Sequence, residues 1–220
     1  MRIAAFQLEA AFEDMVYDRE AGRVHVKGSP DRAKSFAEIA FATHTANHLP
    51  EGMEPGLEES TFYDPVNFTF PNSAHIAQVE IDRDTGHVTI QRYVAVDDVG
   101  KVINPMIVRG QIVGGIAQGV GQALWEYGQY DENGQLLSGS MMDYAMPRAD
   151  GFPMIETSRI ETPSPHNPLG VKGAGEMGTI AATVTVANAV MDALAPLGVR
   201  HIDMPLRPER VWRAMHDGRS

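Results

Sequence analysis

Cysteine is absent from all 220 residues. That excludes disulfides, thiolate zinc sites and Cys-ligated iron–sulfur clusters on this chain, so any such cluster belongs to a partner. Basic residues are scarce: 18 Lys and Arg stand against 29 Asp and Glu, a formal charge of -11. A surface that acidic disfavours nucleic acid and anionic membrane as partners. No run of 18 or more consecutive apolar residues is present, so no bilayer-spanning segment is expected. The opening Met1 to Phe6 gives way at once to Gln7 and Glu9, too short and polar an apolar stretch for a signal peptide. The compartment expected on these grounds is the cytoplasm. There is no internal repeat and no low-complexity tract.

What is present reads as mixed helix and strand. Residues 1–13 look like the end of a helix. Met15-Val16-Tyr17 and Arg23-Val24-His25-Val26 flank the turn sequence Asp18 to Gly22, which predicts a hairpin. Ser35 and Glu38 form an S-x-x-E capping box that opens a helix running to about His48. Residues 50–60, rich in Gly, Pro and Glu, read as a loop. Alternation over Ala74 to Ile81 and Val88 to Val96, around Asp84-Thr85-Gly86, predicts a long hairpin with one buried face. Pro105 to Tyr127 reads as a helix despite five glycines between Gly110 and Gly121. Each costs up to about 1 kcal/mol in a helix interior. So many imply close backbone approach, to another helix or to a ligand. A second hairpin around Asp131 to Gly134, a strand over Met154 to Thr162, a helix over Thr179 to Leu194 and a last short helix over Pro208 to Met215 complete the reading. Two halves are expected, 1–96 and 97–220, the second carrying the functional loops. Trp125 and Trp212 read as core or interface residues.

The segment richest in chemistry is 163–178. Pro163, Pro165 and Pro168 stiffen a loop, and Gly170, Gly173, Gly175 and Gly178 then surround Glu176 at the start of a helix. Glycines remove side chains that would hold the backbone away from a bulky ligand. Free amides at a helix start suit an anionic group, and a carboxylate beside a reacting atom is a natural general base. The plainer alternative is a turn whose glutamate merely suits the helix dipole. Gly173 to Gly178 also spells G-x-G-x-x-G, but a Pro-rich loop and not a strand precedes it, and Asp192 lies inside a helix, so a dinucleotide-binding fold is not expected. Gln111, Gln118 and Gln122 could meet the edge of a heterocycle, or simply form the polar face of a packed helix. His44 and His48 stand at i, i+4, yet Thr45 occupies the place of the glutamate in H-E-x-x-H, and no third ligand is evident. Asn67-Phe68-Thr69 matches a glycosylation acceptor without further support. Asp97 and Asp98 are neighbours in an extended segment, so they point to opposite sides and do not make an acid/base pair.

Four stretches in this order carry a resemblance: Asp97 to Pro105, Gly110 to Leu124, Met142-Asp143-Tyr144-Ala145-Met146-Pro147, and Pro168 to Gly178. Together they resemble the C-terminal third of the large subunits of the xanthine oxidase family of molybdenum hydroxylases, nearest the aerobic carbon monoxide dehydrogenase large-subunit-like branch. The likeness runs from about Phe12 to Met215. It implies an α+β fold, the C-terminal portion of a molybdenum-cofactor-binding domain of the xanthine oxidase/aldehyde oxidoreductase type. It also implies a molybdenum-dependent oxidoreductase that hydroxylates its substrate with water-derived oxygen. The cofactor implied is molybdopterin cytosine dinucleotide with Mo, with no metal held directly by this chain. [2Fe–2S] clusters and FAD are implied on separate small and medium subunits. The glutamate of the family's G-x-G-E motif falls on Glu176 as the catalytic base. The glutamine of its Q-G-x-G segment falls on Gln118 beside the cofactor, which Lys172, Gly173, Ala174 and Gly175 would line. The family's N-terminal domain, its first cofactor-binding segments and the cysteine-bearing loop of carbon monoxide oxidisers have no counterpart in these residues. The N-terminal half of the molybdenum subunit is therefore an expected partner, as a separate chain or as the rest of a longer one. Met177 to Ala182 resembles the wider branch, which makes an aldehyde or a nitrogen heterocycle the expected substrate. Two other readings stand beside this one: a non-catalytic scaffold that pairs with a partner, and an independent nucleotide-binding module. Without its ligand, the loop at 163–178 is expected to be poorly ordered.

Overall fold

The computed structural model describes residues 1–216. The chain forms two compact units, Met1–Asp64 and Pro65–Ser220. The division expected at 96/97 falls two residues before the end of the strand Val88–Asp98, and the long hairpin lies wholly in the second unit.

In the first unit, helix α1 (Arg2–Gln7) buries Ile3, Ala4 and Ala5 in a small core with Met15, Val24, Val26 and Ile39. Strands β1 (Met15–Asp18), β2 (Arg23–Val26) and β3 (Ser29–Ser35) form an antiparallel sheet in that order. The hairpin between β1 and β2 is the expected one. β3 was not expected: its sequence is polar and contains Pro30, and it lies at the sheet edge, the place where Pro is tolerated. Helix α2 (Phe36–His44) opens with the capping box. Ser35 Oγ accepts from the Glu38 amide at 3.2 Å, and Glu38 Oε2 accepts from the Ser35 amide at 2.9 Å. The helix stops at His44, and His48 lies beyond it with a positive φ. The i, i+4 helical pair therefore does not form, and no metal-binding group of His, Cys, Asp and Glu occurs among the described residues.

The second unit is built on β4 (Asn72–Ile81) and β5 (Val88–Asp98), an antiparallel hairpin with a bulge at Gln78/Val79. Every other residue of β5 from Val88 to Ile90, then Tyr93 and Ala95, enters the core. A short strand, β6 (Glu156–Arg159), pairs with β5 in parallel, Val94 opposite Glu156. A parallel pairing needs a crossover, and helix α3 (Pro105–Leu124) lies within it. Asn104 caps α3 through the amides of Met106 and Ile107, with Pro105 at the first helical position. The second hairpin shrinks to one bridge between Tyr130 and Leu136.

Helix α4 (Met177–Leu194) packs along α3. Three glycines make this possible. A Cβ on Gly115 would meet the Thr179 amide nitrogen at 2.9 Å, one on Gly119 would meet Ala182 Cβ at 2.7 Å, and one on Gly178 would meet the Ile112 carbonyl oxygen at 2.5 Å. Those glycines serve helix contact. Gly110 and Gly114 open onto empty space instead. Ile112, Ile116 and Val120 of α3 and Val186, Val190 and Leu194 of α4 meet the hairpin in one core, joined by Val211 of α5 (Pro208–His216). Trp125 packs at its edge, edge-to-face with Phe152, while Trp212 stacks on His216. By length and composition the stretch Met177–Leu197 would suffice to cross a bilayer, since its many Ala, Val and Leu residues are accompanied by one acidic side chain. Here one face of that helix lies on α3 and β4.

Candidate functional site

The end of β5 and the loop before α4 are stitched together. Gly100 and Val171 form an antiparallel bridge, with the Lys101 amide donating to Gly170 O at 2.9 Å and the Lys172 amide donating to Val99 O at 2.8 Å. The crossing is tight: a Cβ on Gly100, at φ +64, would fall 2.2 Å from Gly170 O, and one on Gly170, at φ +68, would fall 2.8 Å from Pro163 Cβ. Both positions call for glycine on conformation and on space. Asn167 closes the loop on itself, its side chain pairing with both the amide and the carbonyl of Val171 at 3.0 and 2.9 Å.

Asp98 organises the rest. Its Oδ1 accepts from the Gly100 amide at 2.8 Å and from the Thr162 amide at 3.1 Å, and its Oδ2 faces Lys172 Nζ at 2.9 Å. Both side chains of that ion pair are about nine-tenths buried. Burial pushes the Asp98 carboxyl up, but the Lys172 ammonium and the Gly100 and Thr162 amides outweigh it and hold the group well below the usual carboxylate range. Its neighbour Asp97 points the other way, as an extended backbone requires. Asp97 Oδ1 accepts from Ser73 Oγ at 2.7 Å and lies 3.3 Å from His75 Nε2, whose Nδ1 is 2.9 Å from the Tyr93 hydroxyl. Burial pushes the Tyr93 phenol up. One carboxylate thus ties β5 into the hairpin, and the other ties β5 to the loop. Neither role was read from the sequence. The available signal was two adjacent acids ending a strand, and a single lysine within a glycine-rich stretch.

The residues expected to form the site lie around the start of α4, which rests against the middle of α3. Glu176 is the N-cap of α4, exposed, and its side chain makes no capping hydrogen bond. Gly173 and Gly175 are exposed, and a Cβ on either would meet nothing within 4 Å. Gln118 lies on the exposed face of α3, with Oε1 3.0 Å from Thr179 Oγ1, one turn beyond Glu176. The Thr179 hydroxyl is also 3.0 Å from Gly115 O. One hydroxyl proton cannot serve both acceptors. Turning the Gln118 amide over satisfies the set, with the hydroxyl donating to Gly115 O and the Gln118 NH2 donating to Thr179. The arrangement repeats one turn on, where Thr183 faces Gly119 O and Gln122. Lys172 differs from the others, since its ammonium is turned inward to Asp98.

Taken together, these features make an open shelf: backbone without side chains at Gly173 and Gly175, an unencumbered carboxylate at Glu176, and an amide side chain at Gln118. That donor set fits a large, polar, anionic heterocyclic cofactor approached by backbone amides. It does not fit a dinucleotide in the Rossmann manner. Gly178, the last glycine of G-x-G-x-x-G, is buried against α3, and a loop, not a strand, leads into the motif.

Comparison with known proteins shows the family to which the chain belongs. The family described as the molybdopterin cofactor-binding domain matches residues 1–153. The chain is 42% identical over 216 residues to the carbon monoxide dehydrogenase large chain of Hydrogenophaga pseudoflava, covering 98% of this chain and 26% of that protein. It is 42% identical over 213 residues to the nicotine 6-hydroxylase large subunit of Paenarthrobacter nicotinovorans, covering 96% of this chain and 26% of that protein. The solved structure of quinoline 2-oxidoreductase from Pseudomonas putida 86 superposes with a TM-score of 0.87 at 43% identity, covering 98% of this chain and 27% of that one. A Cu,Mo-CO dehydrogenase structure gives a TM-score of 0.87 at 40% identity, covering 98% and 26%. The chain spans about a quarter of the length of the curated relatives it matches.

Proposed function

The chain belongs to the molybdopterin cofactor-binding domain family, of the xanthine oxidase type, and from that membership we propose that it forms part of the catalytic subunit of a molybdenum hydroxylase. The cofactor in this reading is molybdopterin cytosine dinucleotide with Mo, which when bound supplies the redox centre and the water-derived oxygen. Gly173, Ala174 and Gly175 give the backbone its approach to that group, and Gln118 meets its polar edge. Glu176 accepts the proton released as the substrate is hydroxylated. The observation that carries the proposal is the position of Glu176: an exposed N-cap carboxylate preceded by Gly173 and Gly175, whose side-chain space is empty.

The substrate in this reading is an aldehyde or a nitrogen heterocycle. Its support is that relatives named for nicotine and quinoline match this chain as closely as one named for carbon monoxide, at 42%, 43% and 42% identity. The partners are the remainder of the molybdenum subunit, an iron–sulfur subunit and an FAD subunit, and the location is the cytoplasm. Purification of the native assembly, with metal analysis and identification of its polypeptides, tests the reading. Molybdenum, iron and flavin travelling with this chain are expected. A metal-free 24 kDa chain with no companions would leave Glu176 without a reaction to serve and would favour the scaffold.

A further inference from the structure

Lys172 sits four residues before the proposed base, in the stretch expected to line the cofactor, yet its ammonium faces the protein. It is 2.9 Å from Asp98 Oδ2, and the two side chains are each 10% exposed. Asp98 also holds the amides of Gly100 and Thr162. Three points of the chain therefore converge on one carboxylate: the end of β5, the beginning of the Pro-rich loop, and the residue from which that loop runs to Glu176. Nine residues of loop separate Thr162 from Lys172 in sequence, and the Asp98 carboxylate closes them into a ring.

A buried ion pair is a weak device for stability, because desolvation of both charges offsets most of their attraction. Its directional bonds fix geometry more effectively than they lower free energy. Here the strand beneath is itself fixed, since Asp97 anchors it to Ser73 and His75 on β4. The pair thus transmits a rigid sheet position to a loop made flexible by glycine.

We propose that Asp98 and Lys172 are positioning residues: together they clasp the loop at 162–172 to the end of β5 and so set where Glu176 stands, with Lys172 acting through its ion pair and not by binding the cofactor with its ammonium. This rests on the reading of Glu176 as the base.

The test uses Asp98→Asn, Lys172→Met, their double variant and Lys172→Arg. In the 220-residue chain, amide exchange is read by mass spectrometry. Segments covering 162–176 should exchange about tenfold faster or more in each single variant, with α3 and the β4–β5 hairpin unchanged. In the assembled enzyme, kcat should fall up to about 10²-fold while KM and molybdenum content stay near wild type, the pattern of a misplaced base. The double variant should be no worse than the poorer single one, and Lys172→Arg should recover most of the loss. The proposal is overturned if Lys172→Met loses molybdenum while Asp98→Asn keeps it, if the two losses simply add, or if loop exchange does not change. Should Glu176→Gln prove fully active, the exchange result would still stand or fall by itself, so the two failures are separable.

Discussion

Replacing Gly178 by Ala should drive α4 away from α3, although alanine is the better helix former. The absent Cβ would lie 2.5 Å from the Ile112 carbonyl oxygen and 3.1 Å from both Gly115 Cα and the Ile116 amide nitrogen. Ordinary contact begins at 3.4 Å, so the helices must part by about 0.9 Å at this point. All three obstructing atoms are backbone and cannot turn aside. Overpacking of this kind costs roughly 1–3 kcal/mol, and backbone obstruction places it in the upper half of that range. The gain in helix propensity returns at most about 1 kcal/mol. The net loss is about 1–3 kcal/mol, or roughly 2–12 °C in Tm for a chain of this size. The control is Gly114→Ala on α3, where the new Cβ meets nothing within 4 Å. That variant should be neutral or stabilised by up to about 1 kcal/mol. Thermal and urea unfolding, followed by circular dichroism, distinguish the two. If both substitutions shift the midpoint equally and in the same direction, the α3–α4 contact described here is wrong.

Three other outcomes follow from the same geometry. Ser35→Ala removes the capping box of α2 and should cost about 1 kcal/mol, read as a lower urea midpoint for the Met1–Asp64 unit with the second unit unaffected. Asp98 has its folded-state pKa depressed from the ordinary 3.8, so its contribution is present above about that pH and is lost as the pH falls below it. Unfolding of wild type and Asp98→Asn between pH 2.5 and 6, roughly spanning that window, should show a stability gap that narrows on the acid side. A constant gap would contradict the assignment. Thr183→Val should cost about 1 kcal/mol by leaving the Gly119 carbonyl and the Gln122 amide without that partner, measurable by the same unfolding assay.

Local signals in the sequence carried the local structure. The alternation at Ala74–Ile81 and Val88–Val96 marked the hairpin because each residue's face depends only on its neighbours. Ser35 and Glu38 marked the start of α2 because a capping box closes within one turn. The bond partners that the sequence could not supply lie far along the chain. Gly115 meets Gly178 and Gly119 meets Ala182 across about sixty residues, and nothing near Gly115 distinguishes it from Gly114, which faces empty space. Asp98 and Lys172 are likewise remote from one another, and a lysine among glycines reads as ligand-facing until its partner is seen. β3 escaped notice because an exposed edge strand needs neither alternation nor β-branched residues. Of the site, Glu176 and its glycines were legible as a pattern, while the clasp that holds them was not.

The central claim is that Glu176 is the base of this site, and Glu176→Gln in the assembled enzyme tests it most directly. Glutamine keeps the size and the N-cap position but cannot take the proton. Turnover should fall by roughly 10²–10⁴-fold with molybdenum content unchanged. Full turnover by that variant, with the cofactor in place, would contradict the account.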